Sequence, residues 1–143
     1  MPTPTVRAGL GTLLQHGTSG GSPVYTTVAL RVSIEGPDGK VGTAPATHLD
    51  STCMTDRPTL PDPGDLSLEL FYDPAEASHT LLETLWHTPT IEPWRLLFVD
   101  GTKYDFLGFL TGWKLNGMEV ESNLGGSVKI RLTSMPVKTA PAA

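Results

Sequence analysis

Residues 103–135 read KYDFLGFLTGWKLNGMEVESNLGGSVKIRLTSM and carry the clearest architectural signal in the chain. Asn116-Gly117 is the strongest two-residue hairpin signal, because a type I′ turn needs positive φ at both central positions and Asn and Gly tolerate it best. A turn there sets Leu115 opposite Met118, Trp113 opposite Val120 and Thr111 opposite Ser122, with Lys114 opposite Glu119 and Gly112 opposite Glu121 on the other face. A three-residue loop over Gly125, Gly126 and Ser127 then sets Leu124 against Val128, Ser122 against Ile130 and Val120 against Leu132. Both turns predict one three-stranded meander. Phe109, Trp113, Leu115, Met118, Val120, Leu124, Val128, Ile130 and Leu132 face inward, while Glu119, Glu121, Asn123, Lys129 and Arg131 face outward, with Glu121 beside Arg131. A slip of one residue would bury Glu119, Glu121, Lys129 and Arg131, so the register is strongly specified. Tyr104, Phe106 and Leu110 fall on the charged side, leaving one end of it apolar enough to meet a partner.

The flanking segments agree with an all-β plan. Leu66, Leu68, Leu70 and Tyr72 alternate with Ser67, Glu69 and Phe71, the period of a half-buried strand. Val28, Leu30, Val32 and Ile34 do the same within residues 24–34, which predicts one strand ended by Gly36-Pro37-Asp38-Gly39. Residues 47–54 (THLDSTCM) read as a further strand, and residues 94–99 form a hairpin with 103–115 across Asp100-Gly101-Thr102. Residues 11–14 suggest a short edge strand before a flexible loop over 16–23 (HGTSGGSP). A single helix is credible. Asp73 is its N-cap, Pro74 its first residue and Glu76 its third, Ser78 offers a second start, and Leu81, Leu82, Leu85 and Trp86 mark an apolar stripe ending before Thr88-Pro89. Each buried residue of that stripe contributes roughly 1.5–3 kcal/mol, so this short helix exists by lidding a sheet. The count is seven or eight strands and one helix.

Length and charge set the bounds. At 143 residues the chain is a single domain, with an ordered core over about residues 8–135, an N-terminal arm (1–8) and a C-terminal tail (137–143). Fifteen acidic against ten basic residues give a net charge of -5, which opposes holding nucleic acid by phosphate neutralisation. Cys53 is the one cysteine and excludes an intrachain disulfide. With neither a secretory signal nor an apolar run of membrane length, the chain reads as soluble and intracellular when made, with no membrane partner.

Chemistry is weakly written. His16, His48, His79 and His87 share no zinc-like spacing with each other or with Cys53, and read as surface or helix-end residues, so no metal and no cofactor is expected. No nucleophile elbow or phosphate loop is present, and the register pairs Glu119 and Glu121 with Lys114 and Arg131 rather than leaving them as an acid–base couple, so the chain is not expected to be an enzyme. Trp94 and Trp113 could form a sugar-stacking platform, but Trp113 on the apolar face favours core packing. The proline-broken loop Met54, Thr55, Asp56, Arg57, Pro58, Thr59, Leu60, Pro61, Asp62, Pro63 and Gly64 cannot be a central strand and, with the termini, looks like an assembly arm.

The succession of elements resembles the tail tube (major tail) proteins of long-tailed bacteriophages with non-contractile tails. The resemblance rests on His48-Leu49-Asp50-Ser51-Thr52, on Pro63-Gly64-Asp65 leading into residues 66–74, on the amphipathic helix over 78–87, and on Phe109-Leu110-Thr111-Gly112-Trp113 through Val128-Lys129-Ile130-Arg131-Leu132. It implies an antiparallel β-sandwich or barrel-like tail tube fold with one flanking α-helix. It further implies hexameric rings stacked into a hollow tube that conducts phage DNA into the host, within the virion tail after assembly in the host cytoplasm. The expected partners are further copies of the chain, a tape measure protein, a tail terminator and a distal tail protein, with DNA passing transiently and non-specifically. On that reading the 54–64 loop makes ring-to-ring contacts, and Asp65, Glu69, Asp105, Glu119 and Glu121 are the candidate lumen acids that would repel DNA from the wall. The alternatives are another ring-forming tail or injection-system protein, and a carbohydrate-binding or adhesion β-sandwich.

Overall fold

The computed structural model describes residues 9–18 and 24–140. The elements are β1 (Leu13–Gly17), β2 (Tyr25–Thr27), β3 (Arg31–Glu35), β4 (Lys40–Pro45), β5 (Asp56–Asp62), β6 (Asp65–Phe71), α1 (Ala77–His87), β7 (Glu92–Leu97), β8 (Lys103–Asn116), β9 (Gly125–Leu132) and β10 (Val137–Thr139). One antiparallel sheet runs β2-β1-β7-β8-β9-β6-β3, with β10 added to β8, and β4 and β5 pair only with each other. The architecture is mainly β with one helix.

The long sheet curls on itself. Residues 28–30 join β2 to β3, and across that corner Val28 N–H donates to the Leu14 carbonyl on one side while Leu30 C=O accepts from Phe71 N–H on the other. Arg31 Nε adds a bond to the Thr12 carbonyl. The two ends of the sheet are thereby linked through one bent strand, and the inward side chains of every long strand meet inside: Leu14, Leu66, Leu68, Leu70, Trp94, Leu96, Phe106, Leu110, Val128, Ile130 and Leu132 are all buried. Trp94 satisfies its indole N–H on the Gly108 carbonyl.

Helix α1 contributes Leu82 and Leu85 to this core and is pinned to the corner by two polar side chains. Ser78 Oγ accepts from Ala29 N–H at 3.2 Å, and His79 Nε2 lies 2.7 Å from the Ala29 carbonyl. Because His79 Nδ1 accepts the Asp73 N–H, Nε2 carries the proton and donates. The expected Asp73 cap is displaced: Asp73 closes a turn on Ala75 N–H, and Glu76 stands at the N-cap without a side-chain capping bond, its carboxylate accepting the Ser78 hydroxyl instead. Trp86, expected inward, is 40% exposed, whereas His79, expected at the surface, is fully buried.

The meander is the main correction. Strand β8 pairs directly with β9, Trp113 with Val128 and Leu110 with Ile130, and residues 117–124 form a loop in which Met118 and Val120 are exposed. Gly117 does take a positive φ, 75°, but Asn116 does not, so no type I′ turn forms. The physical reason is competition for β9. Its second edge is taken by β6, which sets Leu66 against Ile130 and Leu68 against Val128 and so buries these residues between two apolar strands rather than one. Glu119 and Glu121 therefore leave the sheet, and neither lies beside Lys114 or Arg131 in a ladder.

A bulge corrects the face assignment. The β8–β9 register shifts between Leu110 and Gly112, leaving Thr111 as an extra residue whose hydroxyl donates to the Lys129 carbonyl. Phe106 and Leu110 before it and Trp113 and Leu115 after it consequently share the core face, while Phe109 opposite Arg131 turns outward. The apolar end expected on the charged face is thus core.

Other differences are local. Strand β1 is interior, flanked by β2 and β7, and includes His16 and Gly17 from the expected loop. The expected 24–34 strand breaks at the corner, where Leu30 adopts φ 56°. Val137–Thr139, expected as tail, pairs with β8. The arm expected over residues 1–8 lies outside the described residues.

Candidate assembly surface

Strands β3, β4, β5 and β6 are one long hairpin with an elbow in it. Its lower half, β3 on β6, belongs to the barrel wall; its upper half, β4 on β5, stands clear of the sheet. The elbow lies at residues 36–39 and 63–64. Gly64 has φ +82°, and a Cβ there would fall 1.9 Å from the Asp38 carbonyl oxygen; at Gly36 it would fall 2.6 Å from that of Asp65. Only glycine lets the two strands cross this closely. Asp38 N–H donates to the Asp65 carbonyl across the crossing.

Charge ties the elbow. From β9, Arg131 reaches Asp62 Oδ1 with Nη2 at 2.7 Å and Asp65 Oδ1 with Nη1 at 3.4 Å. The same Asp62 oxygen accepts the Gly64 N–H at 2.9 Å. That backbone bond, with Arg131 behind it, holds the Asp62 carboxyl below its ordinary range.

The ribbon beyond the elbow has no core. Lys40 pairs with Asp62, Val41 with Pro61, Thr43 with Pro58 and Pro45 with Asp56, with a register shift around Gly42. Residues 54–64, expected as a loop, therefore contain a strand; Pro58 and Pro61 are tolerated because the ribbon has only two strands, so each proline can point its missing donor away from the ladder. Residues 47–54, expected as a strand, are instead the tip, closed by bonds between Thr47 and Thr55 and between His48 and Ser51. Val41, Leu49, Met54 and Leu60 are all exposed, from 58% to fully. An isolated two-stranded ribbon is at best marginally stable in water, so exposed apolar side chains on one make it the candidate contact surface.

The candidate lumen acids are not brought together. Asp65 is bound to Arg131, Asp105 to Arg95 at 2.6 Å, and Glu69 accepts the Ser33 hydroxyl at 3.4 Å. These three lie on the outer sheet face, interleaved with Arg95, Lys129 and Arg131, so that face is mixed in charge. Glu119 and Glu121 lie on the exposed loop. Among the described residues no group of three or more potential metal ligands occurs. Trp94 is buried and Trp113 packs against the core in a T-shaped pair with Tyr72, so neither offers a sugar platform. Sequence reasoning missed His79, His16 and the Arg131 elbow; the Gly36 and Pro63-Gly64 breaks, facing each other in one hairpin, were the available signal for the last.

No protein-family model matches the chain, and no curated protein sequence matches it. Solved structures do match its fold. A chain in the tail of an empty gene transfer agent particle, refined as a helix with C6 symmetry, superposes with a TM-score of 0.78 at 11% identity, covering 94% of this chain and 100% of that one. A chain of the SPP1 tail tube gives 0.74 at 8% identity, covering 96% and 81%. A chain of the sheath–tube complex of the extracellular contractile injection system PVC, in its extended state, gives 0.66 at 12% identity, covering 97% and 92%. The barrel with its helix and projecting ribbon is the fold of these tail and tube subunits.

Proposed function

We propose that this chain is a structural subunit of a tail tube: rings of six copies stacked head to tail into a hollow conduit through which DNA leaves the particle. The observation that carries the reading is the ribbon without a core, projecting from a barrel whose fold is that of subunits in sixfold tails and tubes. A head-to-tail contact uses two different surfaces of one subunit and so propagates as a filament, which gives an exposed arm its use. Residues 54–64 are half of that arm. The net charge of -5 suits a tube that must not bind the polyanion it conducts. Asp65, Glu69, Asp105, Glu119 and Glu121 remain the acids assigned to the lumen, with Glu69, Glu119 and Glu121 the ones not held in an ion pair with Arg95 or Arg131. The partners are further copies of the chain, a terminator at the capsid end, a distal tail protein at the tip and a tape measure protein inside. The location is the virion tail, after assembly in the host cytoplasm. The similarity to a chain of a contractile system favours one second reading, the inner tube of an injection machine.

Electron microscopy of the purified protein at rising concentration tests this. Rings or tubes with an axial hole are expected, and a variant with residues 41–60 replaced by a short Gly-Ser linker should fold but fail to elongate. A wild-type protein that stays monomeric at every concentration overturns the proposal.

A further inference from the structure

The elbow between barrel and ribbon is tied by one side chain rooted elsewhere in the fold. Arg131 lies on β9, a strand flanked by β6 and β8, so its backbone is held by ladders on both edges. Asp65 sits directly opposite it in the β6–β9 register, which aims the guanidinium along the outer face toward Asp62, the last residue of β5. Beyond Asp62 the described residues show no bond from the ribbon to the barrel other than those of the crossing itself.

We propose that Arg131 is the positioning residue that sets the direction of the β4–β5 ribbon, and thereby decides whether a subunit can engage a second copy. The inference rests on the assembly reading above. Gly36 and Gly64 permit the close crossing, which the Asp38 N–H to Asp65 carbonyl bond and the Leu132 N–H to Gly64 carbonyl bond hold at its centre, but glycine adopts many backbone conformations and leaves the ribbon beyond them free to swing. A guanidinium that grips Asp62 and Asp65 together spans the hinge and removes that swing, with the directional fork that lysine lacks. Pre-setting the ribbon lowers the ordering cost of docking it on a neighbour, so its loss weakens assembly without touching the contact surface.

The test uses the chain's own chemistry. Cys53 is its one cysteine, is exposed and sits at the ribbon tip, so a spin label there and a second at Lys114→Cys on the barrel report the ribbon's direction as a distance distribution. At low concentration a narrow distribution is expected for the otherwise wild-type pair, and a broad one when Arg131→Gln or Asp62→Asn is added. Combining the two substitutions should be no worse than Arg131→Gln alone, because the Arg131–Asp62 bond that Asp62→Asn removes is already lost with Arg131. The concentration at which tubes first form should rise roughly threefold to fivefold in each variant, on the scale of one exposed ion pair, with the unfolding midpoint unchanged. Distributions as narrow in Arg131→Gln as in the parent, or broadening that follows a general loss of stability, overturn the proposal. The distance measurement needs no assembly, so a parent protein that forms no tubes would sink the assembly reading while this result still decides the role of Arg131.

Discussion

Two halves of one hairpin behave in opposite ways. The β3–β6 half sends Ile34, Leu66, Leu68 and Leu70 into the barrel, whereas the β4–β5 half exposes Val41 and Leu60 to water. Both obey the same ladder rules and differ only in what lies behind them. The contrast teaches that an exposed strand pair joined to a packed one is kept for what it touches, since local folding energy does not account for its apolar side chains.

The two halves respond differently to truncation. Trp94→Ala opens the barrel core and should cost about 3–5 kcal/mol, enough to unfold a marginal domain, whereas Leu60→Ser on the ribbon should stay within about 0.5 kcal/mol of wild type. Denaturant unfolding reads both, and a large loss at Leu60 would mean that the ribbon is part of the cooperative unit. Next in size is the helix anchor. His79→Leu strands the Ala29 carbonyl and the Asp73 N–H, and a loss of about 1–3 kcal/mol is expected, with no change in ribbon direction.

Acid should separate the regions again. Burial pushes the His16 imidazole below its ordinary value, and the Glu92 carboxylate opposes that shift. A base with a depressed folded value contributes stability that is full above about pH 6.5 and falls as pH drops toward that lower value. The slope cannot exceed about 1.4 kcal/mol per pH unit for one proton, and His16→Phe should flatten it. An unchanged pH profile would show that His16 does not report on the core. The smallest effect belongs to the corner. Leu30 sits at φ 56° and is 51% exposed, so Leu30→Asn should relieve strain of up to about 1 kcal/mol and raise the midpoint slightly.

The sequence was legible where burial and period agreed. The inward set Leu66, Leu68 and Leu70 and the β7–β8 hairpin turn at Asp100-Gly101 formed as expected, as did an amphipathic helix ending at His87. Reading failed where a long-range partner outbid a local one. Asn116-Gly117 signals a tight hairpin, but β6 claims the edge of β9 that the meander needed, and no local rule announces a strand more than fifty residues away. Thr111 shows a second kind of failure: one bulged residue inverts the face of everything before it. The 54–64 segment was singled out by its prolines, yet its ladder was missed because Pro58 and Pro61 speak against a strand unless the ribbon is known to be two-stranded.

The central claim is that the β4–β5 ribbon lacks a core in the free subunit and acquires one from a second copy. Amide hydrogen exchange compared between dilute subunits and assembled tubes tests it most directly. The account predicts fast exchange at Val41, Thr43, Ala44 and Leu60 in the free subunit, slow exchange of the same amides in the tube, and barrel amides such as Leu68 and Ile130 slow in both. Ribbon amides that exchange equally fast before and after assembly would contradict it.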